Sequence, residues 1–361
     1  MKIVKVKLKQ NPYDIVIGEN ILPKLGAHIK KLNIGRDAIV ITNPIVKKLY
    51  GSTITKSLKK SGFSVKVMTV PDGEKSKSVK TCFELIEQVA KYDILKRPFI
   101  VAVGGGVIGD LAGYVAAAYK RGIPYVHVPT SFLAQIDSAI GGKVAIDLKV
   151  GKNLVGAFYQ PKMVYSDIAV LKTLPKRQLK NGMAEAIKYG VIYDNKLFAY
   201  LEKNFAKILE TDSKALTHVV IRSSQIKADV VLRDEKETKG VREILNFGHT
   251  IGHAIEAAGG FKVYQHGEAI ALGMHVAADI SVQKKMLTQS AADRLGALIE
   301  SVGLPMQIKK VKLSDITRLM KHDKKFKTGK TRFVLARSIG RVSVIEGVKE
   351  VVIKKAVRRF M

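Results

Sequence analysis

The chain of 361 residues contains one cysteine, Cys82, and no tryptophan. A single cysteine excludes an intramolecular disulfide and is consistent with a reducing compartment. No run of about 18 apolar residues occurs, so the sequence predicts no membrane span. Residues 4–8 alternate apolar and basic side chains, which is typical of a strand and not of a secretory signal. We therefore expect a cytoplasmic protein without a membrane partner.

Acidic residues are scarce, since 31 Asp and Glu face 62 Lys and Arg for a formal net charge of +31. Such an excess is typical of a nucleic-acid or membrane-surface binder, or of a basic solvated surface that steers an anionic substrate. Aromatic residues make up only 7%, and the basic residues are spread along the whole chain. No RNA-binding aromatic signature is present. These features disfavour a nucleic-acid partner.

At roughly 150 residues per domain, a chain of this length predicts about two domains. In the first half, strand-like segments alternate with helical ones, which is typical of βαβ units and a parallel sheet. The predicted strands are residues 3–8, 13–17, 37–42, 63–70, 98–103 and 125–128, and the predicted helices are 44–60 and 77–91. Helical periodicity then dominates residues 178–191, 195–208, 214–232, 244–257, 269–285 and 290–301. The sequence predicts an α/β N-terminal domain with a parallel, Rossmann-like sheet (1–175) and a mostly α-helical C-terminal domain (176–361).

A glycine-rich turn follows the predicted strand 98–103. Gly104, Gly106 and Gly109 satisfy the pattern G-x-G-x-x-G between a strand and a helix. Bare backbone and free helix N–H groups suit the pyrophosphate of a dinucleotide, although a tight strand-to-helix turn has the same pattern. The motif is not on the first strand, and no acidic residue follows about 20 positions later. Any ribose contact must therefore come from elsewhere, such as the end of strand 37–42.

Histidines and one distant carboxylate form a candidate metal site. His249 and His253 lie four residues apart and share a helical face, and His266 follows after a short loop. Upstream, Glu185 and Lys188 share a face at i, i+3. One carboxylate with two imidazoles is a common catalytic metal shell, and Thr250 excludes the zincin motif. The spacing leaves open which histidine stays off the metal, and which metal binds.

Several basic residues adjoin flexible backbone and could bind a phosphate or carboxylate. Lys143 follows two glycines, and Lys152 lies between Gly151 and Asn153. Arg242 precedes Asn246 by four residues, on about the same helical face if that helix begins early enough. Further candidates are Lys227, Lys324 and Lys325. For each of them, ordinary surface charge is the alternative.

Taken together, these motifs resemble the 3-dehydroquinate synthases over essentially the whole chain. The matching stretches occur in the family's order at residues 71–77, 104–110, 137–143, 151–158, 182–190, 246–253 and 266–268. The resemblance implies a dehydroquinate synthase-like fold, with an NAD-binding α/β domain, a helical domain and the active site between them. It also implies a homodimer, bound NAD and one divalent metal, usually zinc or cobalt.

The resemblance assigns roles by motif position. It implies that Glu185, His249 and His266 are the metal ligands and that His253 is the active-site histidine off the metal. The substrate residues it implies are Asp137, Lys143, Asn153, Lys188, Lys227, Arg242 and Asn246, with Lys152 in the same motif and Arg121 reaching a neighbouring subunit. The NAD residues it implies are Glu74, Lys77, Gly105, Gly106, Asp110, Thr130 and Ser131, with Lys143 and Lys152 again. Asn43 stands where the family often has an aspartate on the adenosine ribose, and Ala139 replaces a common serine.

The implied activity is a phosphate-eliminating lyase of the shikimate pathway of aromatic amino-acid biosynthesis. It would convert 3-deoxy-D-arabino-heptulosonate 7-phosphate, a phosphorylated sugar acid, to 3-dehydroquinate and phosphate, with NAD used catalytically. Two rivals share the fold: another sugar-phosphate cyclase, making 2-deoxy-scyllo-inosose or a valiolone, and a metal-dependent polyol dehydrogenase. Arg242 with Asn246 favours a substrate that carries a carboxylate, because a guanidinium suits that group.

Overall fold

The computed structural model describes residues 1–321 and 332–361, so Lys324 and Lys325 lie outside the described residues. The chain divides into two compact units. The first comprises residues 1–174 and 216–236, and the second comprises 175–215 and 237–361. A single border near residue 175, as predicted, would place residues 216–236 in the second domain. In the structure they belong with the first unit. Among the described residues, no helix has the length and apolar character that crossing a membrane requires.

A seven-stranded sheet forms the centre of the first unit, in the order β1-β2-β9-β6-β5-β3-β4. Its strands are β1 (Lys2–Val6), β2 (Tyr13–Gly18), β3 (Asp37–Thr42), β4 (Ser64–Thr69), β5 (Pro98–Gly104), β6 (Tyr125–Pro129) and β9 (Met163–Asp167). Only the β1–β2 pair is antiparallel. The predicted parallel, Rossmann-like sheet is therefore confirmed, with an antiparallel strand at one edge.

The strands of this sheet alternate their side chains between two faces. The first unit has five α-helices among the described residues. They are α1 (Leu25–Leu32), α2 (Pro44–Lys60), α3 (Val79–Tyr92), α4 (Gly106–Ala118) and, from residue 216 onward, α7 (Ser213–Arg233). Helices α2 and α4 pack against the sheet. Ile39 and Ile41 of β3 pack in one core with Leu85 of α3 and Leu111 of α4. Because these strands are parallel, their carboxyl ends lie at one edge of the sheet, and folds of this kind bind ligands at that edge.

A β-hairpin that the sequence analysis did not predict lies on α4. It consists of β7 (Lys143–Leu148) and β8 (Gly151–Phe158). A Cβ atom added to Gly113 of α4 would lie 2.4 Å from a methyl group of Val144, so the helix and the hairpin are in close contact. The hairpin carries the predicted anion-binding residues Lys143, Lys152 and Asn153.

The second unit is mostly helical, which confirms that part of the fold prediction. Its helices are α5 (Lys176–Ile192), α6 (Asn195–Leu209), α8 (His249–Ala258), α9 (His266–Gln283), α10 (Gln289–Val302), α11 (Leu313–Lys321) and α12 (Glu350–Arg359), beside the strands β10 (Arg332–Ser338) and β11 (Arg341–Glu346). Helices α8 and α9 approach closely through glycine, since a Cβ on Gly273 would lie 1.9 Å from the carbonyl oxygen of Gly248.

Candidate functional site

Three side chains of the second unit converge on one point. Glu185 comes from the middle of α5 and is fully buried, while His249 and His266 are the first residues of α8 and α9. The Nε2 atoms of His249 and His266 lie 3.4 and 3.5 Å from Glu185 Oε1. All three donor atoms lie within 4.8 Å of one another. This spacing is compatible with one shared metal ion.

Both imidazoles are held by a second contact on the opposite ring nitrogen. His249 Nδ1 lies 3.1 Å from the carbonyl oxygen of Phe247, and His266 Nδ1 lies 3.3 Å from Glu256 Oε2. Metal-ligating histidines nearly always make such a contact, which leaves the other nitrogen for the metal. In both rings the nitrogen left over is the one that faces Glu185.

Glu256 is not among the predicted site residues, although its position in the sequence carries a signal. Glu256 follows His249 by seven residues and so shares the face of α8 that His249 and His253 occupy. The contact with His266 depends on α9 packing against α8, and helical spacing alone does not reveal it.

The ionisable groups of this cluster perturb one another. Burial, and then the charges of Lys188, His253 and His266, lower the pKa of His249 well below its ordinary value. Burial also acts to lower the pKa of His266, but the carboxylates of Glu185 and Glu256 outweigh it and raise that pKa to about 9. His249 is therefore neutral at physiological pH, which is the form that binds metals.

His253 and Lys188 adjoin the cluster without belonging to the set of three donors. The His253 ring centroid lies 5.1 Å from that of His249 and 5.9 Å from that of His266, and its side chain is exposed. Lys188 is 2% exposed and forms an ion pair with Glu185 on the same helix. A protonatable ring and an ammonium group thus lie beside the three donors.

The described residues contain no α-helix that begins early enough to give Arg242 and Asn246 one face. Arg242 lies in a separate 3-10 helix, Val241–Asn246, and α8 begins only at His249. Gly248 separates the two in the left-handed region at φ +77°, and a Cβ there would lie 2.8 Å from the backbone nitrogen of Met274. The close packing of α9 therefore requires glycine and a break at this point. Arg242 is 2% exposed, and its Nε lies 3.5 Å from Glu237 Oε1.

In the first unit the glycine-rich turn has the geometry of an anion site. Strand β5 ends at Gly104, Gly105 precedes the first residue of α4, and no side chain caps that helix. Added Cβ atoms on Gly105 and Gly106 would lie 3.3 and 3.2 Å from the hydroxyls of Ser131 and Ser138. On Gly109 the added Cβ would lie 2.1 Å from the His127 ring on β6. Gly105 and Gly106 keep the turn free of side chains, and Gly109 allows α4 to pack closely against β6.

Charged side chains surround this turn. Lys77 Nζ lies 2.5 Å from Asp110 Oδ2 and also donates to the Asn153 side chain, while Lys152 Nζ lies 3.8 Å from Glu74 Oε1. Burial raises the pKa of Asp110, against the opposing effect of Lys77. The structure therefore brings together four predicted dinucleotide residues and Asn153 of β8.

Asn43 and Thr130 follow the carboxyl ends of β3 and β6, the two strands that flank β5. The Asn43 side chain caps α2 by accepting from the backbone N–H of Val46 at 2.8 Å, and it donates to Asp72 Oδ1 at 2.6 Å. Thr130 donates its backbone N–H to the carbonyl oxygen of Gly104 at 3.0 Å. Both residues thus belong to the carboxyl edge of the sheet.

Asp137 and Lys227 form a pair although 90 residues separate them. Lys227 Nζ donates to the Asp137 carbonyl oxygen at 2.8 Å and also contacts its carboxylate. Lys143 opens β7 and is exposed, and Asn153 adopts φ +56° and donates its backbone N–H to Asp147 Oδ1 at 2.8 Å. Arg121 is exposed, and it adopts φ +63° in a short 3-10 helix.

Comparison with known proteins identifies the family. The model for the 3-dehydroquinate synthase N-terminal region matches residues 67–181, and the model for the C-terminal region matches residues 182–326. The chain belongs to the 3-dehydroquinate synthase family. A curated 3-dehydroquinate synthase from Desulforamulus reducens is 45% identical over 351 residues, which cover 97% of this chain and 98% of that protein.

Solved structures of two other synthases share this fold. A 2-deoxy-scyllo-inosose synthase, complexed with carbaglucose-6-phosphate, NAD+ and Co2+, superposes with a TM-score of 0.90 at 30% identity over 100% of both chains. The 2-epi-5-epi-valiolone synthase of Streptomyces hygroscopicus subsp. jinggangensis, with NAD+ and Zn2+ bound, has a TM-score of 0.89 over 98% of both chains. At 24% identity the second likeness shows the fold alone.

Proposed function

We propose that this chain is a phosphate-eliminating lyase that converts 3-deoxy-D-arabino-heptulosonate 7-phosphate to 3-dehydroquinate and inorganic phosphate. The observation that carries the proposal is the convergence of Glu185, His249 and His266, in a chain 45% identical to a curated 3-dehydroquinate synthase. This reaction belongs to the shikimate pathway, and its substrate is a phosphorylated sugar acid.

Glu185, His249 and His266 would hold one divalent zinc or cobalt ion. A carboxylate oxygen and two imidazole nitrogens form a donor set that suits these metals and leaves coordination positions for a substrate. The contacts of His249 with Phe247 and of His266 with Glu256 support this assignment, because they orient each Nε2 atom. When bound, the ion would act as a Lewis acid on a substrate hydroxyl.

NAD would bind at the glycine-rich turn, with its pyrophosphate at the N-terminus of α4. The backbone of Gly105 and Gly106 can approach the phosphates closely, and the free N–H groups of the helix favour an anion. The other proposed contacts are Asn43, Glu74, Lys77, Asp110, Thr130, Ser131, Lys143 and Lys152. When bound, NAD would take a hydride from the substrate and return it, so a trace amount would support many turnovers.

In the second unit, Arg242 and Asn246 would bind the substrate carboxylate. A guanidinium matches that group in a bidentate way, and Arg242 is 2% exposed, so the interaction is poorly screened by water. Lys188 would place its ammonium beside the metal ligands. His253 would move a proton at the reacting hydroxyl, since its exposed ring adjoins the cluster without being one of the three donors.

In the first unit, the lysines of the hairpin and of α7 would bind the phosphate that leaves. Lys143, Lys152 and Asn153 lie on β7 and β8, and Lys227 is held by Asp137. Positive groups of this kind stabilise a departing phosphate. They would also hold the carbon skeleton of the substrate in place, which favours the ring closure that follows.

We also propose that the chain forms a homodimer in the cytoplasm, with Arg121 reaching the partner's site. Leu154 and Phe158 of β8 are each 44% exposed, which leaves apolar area on the outer face of the hairpin. Tyr159 follows them and adjoins the Arg121 turn, since its hydroxyl would lie 3.0 Å from a Cβ on Gly122. An apolar surface next to an exposed arginine supports a subunit contact there.

The test is release of inorganic phosphate from the heptulosonate phosphate, with trace NAD, before and after metal chelation. We expect release that requires the metal and continues far beyond one turnover per NAD. Matched reactions use glucose 6-phosphate and sedoheptulose 7-phosphate, which lack the carboxylate. Faster release from either compound would contradict the proposal in favour of another cyclase. NADH that accumulates in proportion to substrate would instead identify a dehydrogenase.

A further inference from the structure

A cavity lies in the first unit, along α2 on the face of the sheet opposite α3 and α4. It is a groove of about 380 Å³ between α2 and strands β3, β4 and β5, with Val40, Val67 and Val103 on its floor. Ligand pockets commonly measure roughly 300–1,000 Å³ and combine an apolar lining with a few polar groups. The groove is therefore large enough for a small organic molecule.

One residue that lines this groove, Thr42, carries a buried hydroxyl without a hydrogen-bond partner among the described residues. Thr42 lines the groove and is 2% exposed, and its Oγ1 atom makes no hydrogen bond to any residue that the structure describes. Because Ile41 packs in the core on the α3–α4 side, the alternation of β3 places the Thr42 side chain on the α2 side. A buried hydroxyl without a partner is energetically unfavourable, so a ligand that accepts its hydrogen bond would be stabilised there.

The charges along the groove favour an anion, since Lys47, Lys56 and Lys59 all line it and Lys47 lies nearest to Thr42 in the chain. Lys47 lines the groove in the first turns of α2, and its backbone N–H donates to the carbonyl oxygen of Asn43 at 2.9 Å, which places it next to the end of β3. The N-terminus of a helix adds a positive partial charge. Among the described residues, none that lines the groove is acidic. A carboxylate would therefore find a hydroxyl donor and a cation at the Thr42 end.

We infer that the α2 groove binds an amphipathic carboxylate, with its acid group at Thr42 and Lys47 and its apolar body along Val40, Val67 and Val103. The inference does not depend on the proposed function, because none of these residues has been assigned to the metal, to NAD or to the substrate. Thr42 directly precedes Asn43, so the experiment must separate this groove from the dinucleotide site.

The probe is octanoate, titrated into the full chain by isothermal calorimetry below its micelle concentration, with neutral octanol as comparison. We expect one octanoate per chain and weaker binding of octanol. Thr42→Val keeps the shape of the side chain but removes the donor, and should weaken octanoate binding about tenfold or more. Lys47→Gln should weaken it by about two- to fivefold. Lys48→Gln, on the same helix but outside the groove lining, should leave it unchanged.

A plug variant tests the location of the site. Gly51 lines the groove from α2, and an added Cβ would meet only the flexible Lys47 side chain, at 3.2 Å. Gly51→Leu should therefore fold, since leucine favours a helix more than glycine does, and it should abolish octanoate binding. Undiminished binding to this variant, or no binding to the parent chain, would overturn the inference. A fall in octanoate affinity when NAD is added, in direct competition, would also overturn it. A Gly51→Leu variant that loses octanoate binding but retains its affinity for NAD would support a separate site.

Discussion

His266 and Glu256 are joined across two helices, with His266 Nδ1 and Glu256 Oε2 3.3 Å apart. If His266 is a metal ligand, this contact fixes the ring so that Nε2 faces the metal. Glu256→Gln keeps the size of the side chain but removes the charge, and we expect metal affinity to fall about 10–100-fold. Competition with a chelating dye would measure this, with exposed Glu300→Gln as control. Equal affinities for the two variants would remove Glu256 from the site.

The histidine pair of α8 should separate into a ligand and a residue that does not bind the metal. His249→Ala removes one of three converging donors, and we expect loss of both the bound metal and turnover. His253→Ala should retain the metal but lower kcat, because a group that transfers a proton contributes about 10²–10⁴-fold. Metal content per chain and phosphate release would be measured on the same samples. An active, metal-free His249→Ala variant would disprove the ligand assignment.

Arg242 should matter most for substrates that carry a carboxylate. Arg242→Ala should raise KM and lower kcat/KM about 10–100-fold, because a buried charge-assisted hydrogen bond is lost. Arg242→Lys should recover only part of this, since lysine cannot bind a carboxylate through two parallel donors. The exposed Arg318→Ala variant is the control. Unchanged steady-state kinetics for Arg242→Ala would place this residue outside the substrate site.

The third glycine of the dinucleotide turn should tolerate no side chain. In Gly109→Ala the new methyl group would lie 2.1 Å from the His127 ring, so α4 must shift. We expect a loss of about 1–3 kcal/mol in the free energy of unfolding, together with weaker NAD binding. Urea denaturation and NAD titration would measure these effects. Gly51→Ala should be neutral or stabilising, because its methyl group would meet only the flexible Lys47 side chain, at 3.2 Å. In Gly109→Ala/His127→Ala the ring is removed, and part of the stability should return.

His127 should make the stability of the first unit depend on pH. Burial lowers the pKa of His127 to about 4, so the folded chain holds this ring neutral. Below the ordinary histidine pKa, the unfolded chain takes up a proton that the folded chain does not. Stability is therefore lost as the pH falls from about 6.5 towards 4, and His127 accounts for roughly 2 kcal/mol between pH 7 and 5.

His127→Gln should reduce that loss by a similar amount, and exposed His218→Gln should not. The urea concentration at the midpoint of unfolding, determined at about pH 7 and about pH 5, would measure the loss of stability in each variant. A loss of stability that is identical in the parent chain and in His127→Gln would refute the assignment.

Much of the first unit could be predicted from local patterns. The strand at 37–42 and the helix at 44–60 occur with the predicted bounds, because an apolar run ends at Asn43 and Pro44, which cap and begin the helix. The β7–β8 hairpin was not predicted, since its outward face carries Leu154 and Phe158 beside polar residues, and the apolar alternation that marks a strand is interrupted by glycine.

The predicted helix at 244–257 begins only at His249, and its late start has a tertiary reason. Its apolar spacing is helical on both sides of Gly248, but α9 approaches so closely that the backbone turns into the left-handed region there. Arg242 therefore lies on a separate 3-10 helix. No local pattern contains this information, because Met274 and Gly273, which cause the break, come 25 and more residues later in the chain.

The order of amino acids was sufficient to establish the α/β and helical halves, the glycine-rich turn, the candidate donors and the family, because each depends on residues close together in the chain or on motifs in a known order. Which histidines face Glu185, which carboxylate orients His266, and where Thr42 meets an open groove depend on the packing of distant elements. Side-chain directions across two packed helices are set by their contact geometry, and that geometry is not encoded in the spacing of either helix.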